Sequence, residues 1–225
     1  MKVAVLFSGG KDSSLALHHA LQKGHEVKCL INIVSENPAS YMFHTPNIKW
    51  AEKQAQAIGL PLVIGKTKGE KELELEDLEK AIEKAKKKFN IKGIVTGAVA
   101  SVYQSSRIQK ICDKLRLKCI NPLWQKNQFD VLNEIVDKKF EVLIIGVYGL
   151  GMENFLGRKI DAGFIEDIKK AWQKYGVNVA GEGGEFESFV LNAPFFKKRI
   201  LIEKSHIVED KEGGRTLVID KLKII

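Results

Sequence analysis

Between Val3 and Ile120, five short apolar runs alternate with segments of helical period, and this pattern restricts the fold more than any other feature. The runs are Val3–Phe7, Val27–Val34, Leu62–Ile64, Ile94–Val99 and Lys118–Ile120. Between them, Leu17, Ala20 and Leu21 mark a helix stripe closed by Gly24 at the C′ position, Ala51–Ile58 is a second helix and Tyr103–Leu115 a fourth. The third places Leu75, Leu78, Ile82, Ala85 and Phe89 on one face, with Glu76–Lys80 and Glu83–Lys87 spaced i,i+4 on a solvated one. Strands that alternate with helices form a parallel sheet covered on both faces. The texture changes near Pro122, which divides a segment 1–122 from a segment 123–225. Beyond it come a helix (Phe129–Val136), a strand (Glu141–Val147), a glycine-rich stretch, a helix (Phe164–Tyr175) and two strands, Arg199–Val208 and Thr216–Ile225, joined at Glu212-Gly213-Gly214. The expected fold is α/β, a Rossmann-like parallel five-stranded sheet with a smaller α+β C-terminal domain.

Composition limits what such a fold does. With 44% hydrophobic and 28% charged residues in 225, the chain has the apolar mass of an ordinary core. Three cysteines give neither a disulfide framework nor a C-x-x-C metal pair, and no apolar run is long enough to span a membrane. Met1-Lys2 leads straight into the first strand without a signal peptide, so a cytoplasmic setting is expected. The net charge of +8 raises the question of nucleic acid. Only five of the 36 basic residues are arginine, and Lys/Glu enrichment of this kind is a trend of hyperthermophile proteins. The charge reads as thermal adaptation ahead of an RNA surface, and no stable nucleic-acid partner is expected.

In an open parallel sheet, ligands bind beyond the carboxyl ends of the strands. There the chain places Ser8-Gly9-Gly10-Lys11-Asp12-Ser13, between the first strand and its helix. Gly9 and Gly10 let the backbone approach an anion, and the helix start offers N–H donors and a favourable dipole. Lys11 adds a point charge; Ser8 and Ser13 add hydroxyls. Asp12 would repel a phosphate, so it either caps the helix or holds a metal that bridges to the phosphate. The spacing lacks G-x-x-x-x-G-K-[ST], so this is not a Walker loop. It resembles the PP-loop of the ATP pyrophosphatases, with the adenine nucleotide α-hydrolase-like fold, which cleave ATP between its α and β phosphates.

Two further stretches carry chemistry. In "TGAVASVYQSSR", Gly97 ends the fourth strand at the ligand edge, Tyr103 and Gln104 open the next helix, and Arg107 lies one turn on. An arginine fork at a helix start suits a carboxylate or phosphate, while the plainer reading is a surface Tyr–Arg stack. In "GEGGEFES", Glu182, Glu185 and Glu187 stand among glycines, and Glu185 and Glu187 share a side if the segment is extended. Such carboxylates hold Mg²⁺, bind ammonium or act as a base; the plainer reading is a glycine turn entering an acidic strand. "GLGMENFLGRKID" has the glycine spacing of a site loop but names no chemistry.

Together the PP-loop, "GAVASVYQSSR", "LGRKID" and "GEGGEFES" resemble the diphthine–ammonia ligase family, nearly end to end. The resemblance implies ATP-dependent amidation of diphthine, a modified histidine on elongation factor 2, by ammonium through an acyl-adenylate, with release of AMP and pyrophosphate. It implies ATP on Ser8–Ser13 and Gly97, the adenine near Phe7 and Ile33, and Mg²⁺ at Asp12. Lys11 would stabilise the leaving group, and Glu182, Glu185 and Glu187 would handle ammonium. Arg107 and Gln104 would meet the substrate, whose trimethylammonium suits the ring faces of Tyr103, Trp124 and Tyr148. Eukaryotic relatives carry an additional C-terminal region, so the chain resembles the compact archaeal form. The main rival is a PP-loop enzyme that thiolates transfer RNA. Sulfur insertion needs reactive or cluster-binding cysteines, and Cys29, Cys112 and Cys119 all read as structural.

Overall fold

The computed structural model describes residues 1–37, 47–70 and 72–225. The first sheet has β1 (Lys2–Leu6), β2 (Glu26–Ser35), β3 (Leu62–Thr67), β4 (Gly93–Val95) and β5 (Lys118–Ile120), all parallel, in the order β3-β2-β1-β4-β5. The chain goes to one side of β1 for β2 and β3, then to the other for β4 and β5. The strand order therefore reverses between β1 and β4, which is where ligands bind in such sheets. The helices are α1 (Lys11–Gln22), α2 (Ala51–Ile58), α3 (Leu73–Phe89) and α4 (Val102–Lys114). Gly24 stands at C′ of α1 with φ +70°, as its position after the apolar stripe requires.

Alternation along β1 separates two cores. Val3, Val5 and Phe7 face α1 with Leu15 and Leu17, whereas Ala4 faces α3 and α4 with Leu78, Ile82, Ile108 and Ile111. The first core continues past Pro122 into α5 (Gln128–Asp137), β6 (Glu141–Val147), α6 (Ala162–Tyr175) and β7 (Phe186–Asn192). Parallel pairing ends at Ile120, but the apolar core runs on. A second sheet joins β6 and β7 to β8 (Ile200–Glu209) and β9 (Arg215–Ile224), antiparallel and in the order β7-β6-β9-β8.

Three local expectations are corrected. The fourth strand stops at Val95, not Val99: the Thr96 N–H makes a last bond to the Ile120 carbonyl at 2.9 Å, and its hydroxyl, which donates to Asn121 at 2.8 Å, accepts the Ala98 N–H at 3.3 Å and turns the chain away. Lys80 pairs with Asp77 at 3.0 Å instead of Glu76, while Glu83–Lys87 forms as spaced. The strand after the glycine turn starts at Phe186, which leaves Glu185 outside it.

Candidate active site

A cleft of about 560 Å³ opens at the β1/β4 reversal. Its floor is the β1–α1 joint. Gly10 is the N-cap of α1 in extended conformation and no side-chain cap serves the helix from within, so Asp12 does not cap it. Ser13 Oγ donates to the Gly10 carbonyl at 3.1 Å and lies 3.3 Å from Ser8 Oγ, which folds the two hydroxyls into the turn. Lys11 is only 3% exposed; its Nζ meets Asp12 Oδ2 at 2.7 Å and stands 5.3 Å from the centre of the Phe186 ring. The second oxygen of Asp12, Oδ1, is buried without a hydrogen-bond partner among the described residues.

Of the three glycines expected to touch ligand, Gly10 lines the cleft, and Gly9 and Gly97 are required for packing. Gly9 has φ +85°, does not line the cleft, and a Cβ there would stand 1.9 Å from Gln54 Oε1. Gly97 does line the cleft, but a Cβ would come within 2.7 Å of the Ser13 nitrogen and 2.9 Å of the Asp12 carbonyl. Glycine at 97 lets the loop after β4 lie directly on the first turn of α1.

The wall comes from elsewhere in both units. Phe7, Asn32 and Ile33 line it at the ends of β1 and β2, and Asn32 Nδ2 donates to the Phe7 carbonyl at 2.7 Å. Ser101, Gln104 and Ile108 line it from α4, where Ser101 Oγ caps the helix through the Gln104 N–H at 3.3 Å. Glu182, Glu187 and Ser188 line it from the second unit. Glu182 Oε2 accepts the Ala100 N–H at 3.2 Å and so closes the glycine turn over the loop after β4.

Burial raises the carboxyl groups of both glutamates. Glu187 is pushed up to about 7, first by desolvation; Asp12 and Glu182 add to the rise, and the Lys11 ammonium opposes it. Glu182 is raised for the same leading reason, with Asp12 next. Three carboxylates therefore face one buried ammonium, a balance that suits a cation.

Several expected contacts go elsewhere. Glu185 Oε1 and Oε2 accept the N–H groups of Asn178 and Gly183, both at 3.0 Å, so this carboxylate fastens the turn and does not stand beside Glu187. Tyr103 and Arg107 do not line the cleft. Arg107 Nη2 pairs with Glu72 at 2.6 Å and its guanidinium lies 3.5 Å from the Tyr103 ring centre, the surface stack of the plainer reading. Gln104 and Ile108 take the cleft-facing stripe, and residues one position earlier on a helix point about 100° away. Trp124 is half-buried outside the lining, and Tyr148 donates to or accepts from Thr216 Oγ1 at 2.9 Å with its ring over Gly146. The three rings are not gathered around the cleft. In "LGRKID", Asp161 caps α6 through the Phe164 N–H at 2.8 Å, and Arg158 pairs with Asp167 at 2.9 Å.

Asn32, Gln54 and Ser188 escape a reading of the sequence. Gln54 is wholly buried, and its Nε2 donates to the carbonyls of Gly9 at 2.9 Å and Val190 at 2.8 Å. A glutamine in the apolar stripe of Ala51, Ala55 and Ile58 was the available signal. The cysteines stand outside the lining. Burial pushes the Cys29 thiol up to about 12; a hydrogen bond between Cys112 and Cys119 raises the former and lowers the latter.

Comparison with known proteins shows which family the chain falls in. The sequence profiles of the diphthamide synthase N-terminal domain and C-terminal domain match residues 1–119 and 127–224. A diphthine–ammonia ligase of Homo sapiens is 35% identical over 233 residues, covering 92% of this chain and 85% of the relative. One of Schizosaccharomyces pombe is 33% identical over 230 residues, covering 95% of this chain but 38% of the relative. The expected longer eukaryotic form therefore describes the yeast protein and not the human one. A tRNA-specific 2-thiouridylase of Helicobacter acinonychis is 41% identical over 64 residues, 28% of this chain and 18% of that protein. With both domain profiles matched and the human relative 35% identical along most of its length, the chain belongs to the diphthamide synthase family.

Proposed function

We propose that this protein is an ATP-dependent ligase that amidates diphthine on elongation factor 2 to diphthamide, with ammonium as nitrogen donor. The observation that supports this best is the meeting, in one cleft, of the Lys11–Asp12 loop with the raised carboxyls of Glu182 and Glu187. Bound ATP would supply the activation: the substrate carboxylate becomes an acyl-adenylate, pyrophosphate leaves, and ammonia displaces AMP.

The chain's own groups divide this work. Lys11 and the first turn of α1 hold the phosphates and stabilise charge on the leaving group. Glu187, ionised above about pH 7, draws an ammonium ion and takes its proton. Mg²⁺ fits one protein atom here, the partnerless Asp12 Oδ1. Among the described residues no group of three His, Cys, Asp or Glu forms a cage, so this ion would share its coordination with phosphates and water, as Mg²⁺ commonly does. Glu182 closes the glycine turn and sets the negative potential beside Glu187. Phe7, Asn32 and Ile33 form the wall on which an adenine ring would rest.

The test uses purified elongation factor 2 from a strain arrested at diphthine. Incubation with the protein, ATP and ammonium is expected to give the amide together with AMP and pyrophosphate. ADP as the substrate-dependent product, or no change in the elongation factor, would overturn the reading.

A further inference from the structure

We infer that Ser188 is an anion-binding residue, a hydroxyl that the second unit contributes to the phosphate site of the first. This rests on the nucleotide reading given above and adds a contact to it. Ser188 Oγ accepts the N–H of Lys11 at 3.1 Å, across 177 residues of sequence. Lys11 is the first residue of α1, and the helix has no side-chain cap of its own. A serine of β7 therefore does what an N-cap residue does, from another sheet.

A hydroxyl carries one hydrogen to donate besides the lone pairs that accept. In Ser188 a lone pair is committed to Lys11, and among the described residues no acceptor takes the hydrogen. The side chain is 6% exposed, and it lines the same cleft as Gly10, Lys11 and Ser13. A phosphate seated on the start of α1 is the acceptor this geometry leaves for it. Bonded in that way, the hydroxyl passes polarisation from the Lys11 N–H to the anion, so that two donors act in series.

The strand is held firmly enough to keep the hydroxyl in place. The Val190 N–H donates to the Gly9 carbonyl at 3.0 Å, and the buried Gln54 amide donates to Gly9 at 2.9 Å and to Val190 at 2.8 Å. A Cβ at Gly10 would lie 3.4 Å from the Ser188 carbonyl, so loop and strand are in van der Waals contact. Glu187 is the preceding residue on this strand. Anion binding at Ser188 thus braces the segment that presents the base.

Calorimetric titration of the full chain with pyrophosphate, ATP and adenosine tests this on wild type, Ser188→Ala, Ser188→Cys and Ser188→Thr, with Tm recorded for each. Ser188→Ala and Ser188→Cys are expected to weaken pyrophosphate and ATP about tenfold or more, the scale of one hydrogen bond to a charged group. Adenosine should bind all four proteins alike, and Ser188→Thr, which keeps the hydroxyl, should stay within about threefold of wild type. A lowered Tm with unchanged pyrophosphate affinity would show that Ser188 is a helix cap only. If Ser188→Ala does not fold, Ser188→Cys against Ser188→Thr gives the same decision. If wild type itself ignores both pyrophosphate and ATP, the nucleotide reading fails and this inference with it.

Discussion

Lys11 and Glu187 carry opposite charges into one cleft, and each supports a separate test. Removing the Lys11 ammonium takes away a preorganised charge and leaves Asp12 and Glu187 without their cation. Lys11→Ala is expected to lower turnover by about 10²-fold or more, measured as AMP and pyrophosphate release. An ordinary turnover rate would show that the leaving group is stabilised elsewhere. Glu187 makes a prediction about pH. Its folded pKa of about 7 exceeds the ordinary carboxyl value of 4.5. Between those values the folded protein holds a proton that the unfolded chain has lost, so stability falls as pH rises through the window, by about 3 kcal/mol in all. Glu187→Gln removes this loss. Urea unfolding of protein free of nucleotide and metal, at about pH 5 and about pH 8, should show the variant gaining on wild type only at the higher pH. Equal gains at both would mean that Glu187 titrates normally.

At the scale of elements, the parallel sheet was legible because its signals are local. The strand period, the helix stripes and Gly24 each constrain a few neighbours and agree with one another. The phosphate loop was legible for the same reason. What stayed hidden is long-range. Nothing near Gln54 announces that its amide joins Gly9 to Val190, and nothing near Ser188 announces that it caps a helix beginning at Lys11. Glu185 and Arg107 misled because spacing gives direction only inside a regular element. Glu185 lies one residue before β7, and Arg107 is one position off the stripe of α4 that faces the cleft. Gly97 joins both scales, since it follows a strand and fits under a helix from another part of the chain. Gly97→Ala would press a methyl group on the backbone of Asp12 and Ser13, a cost of about 1–3 kcal/mol for overpacking. Tm should fall by roughly 2–4 °C for each kcal/mol, and ATP affinity should fall with it, by differential scanning calorimetry and titration. An unchanged Tm would mean that the α1 loop yields without cost.

For the whole molecule, the sign and arrangement of charge bear on whether the partner is a protein or a nucleic acid. A net charge of +8 permits either. In the fold, however, 13 of the 36 basic residues are paired with acids among the described residues. Lys28 meets Glu26, Lys87 meets Glu83, Lys114 meets Glu79, and Lys221 and Lys223 share Glu203. Arg107, Arg158 and Arg199, three of the five arginines, are held by Glu72, Asp167 and Glu141. A polyanion needs a stripe of one sign, because its affinity comes from counterions released along many phosphates. Mixed-sign pairs interrupt such a stripe where they stand, and each pair would have to break before its lysine or arginine could bind a phosphate. Transfer RNA should therefore bind weakly and lose that binding steeply as salt approaches about 0.15 M, in a gel-shift titration. Elongation factor 2 carrying diphthine should instead remain a saturable substrate at the same salt. Tight, salt-resistant and sequence-selective binding of transfer RNA would reverse the choice and favour the thiolation chemistry, against the position of all three cysteines outside the cleft.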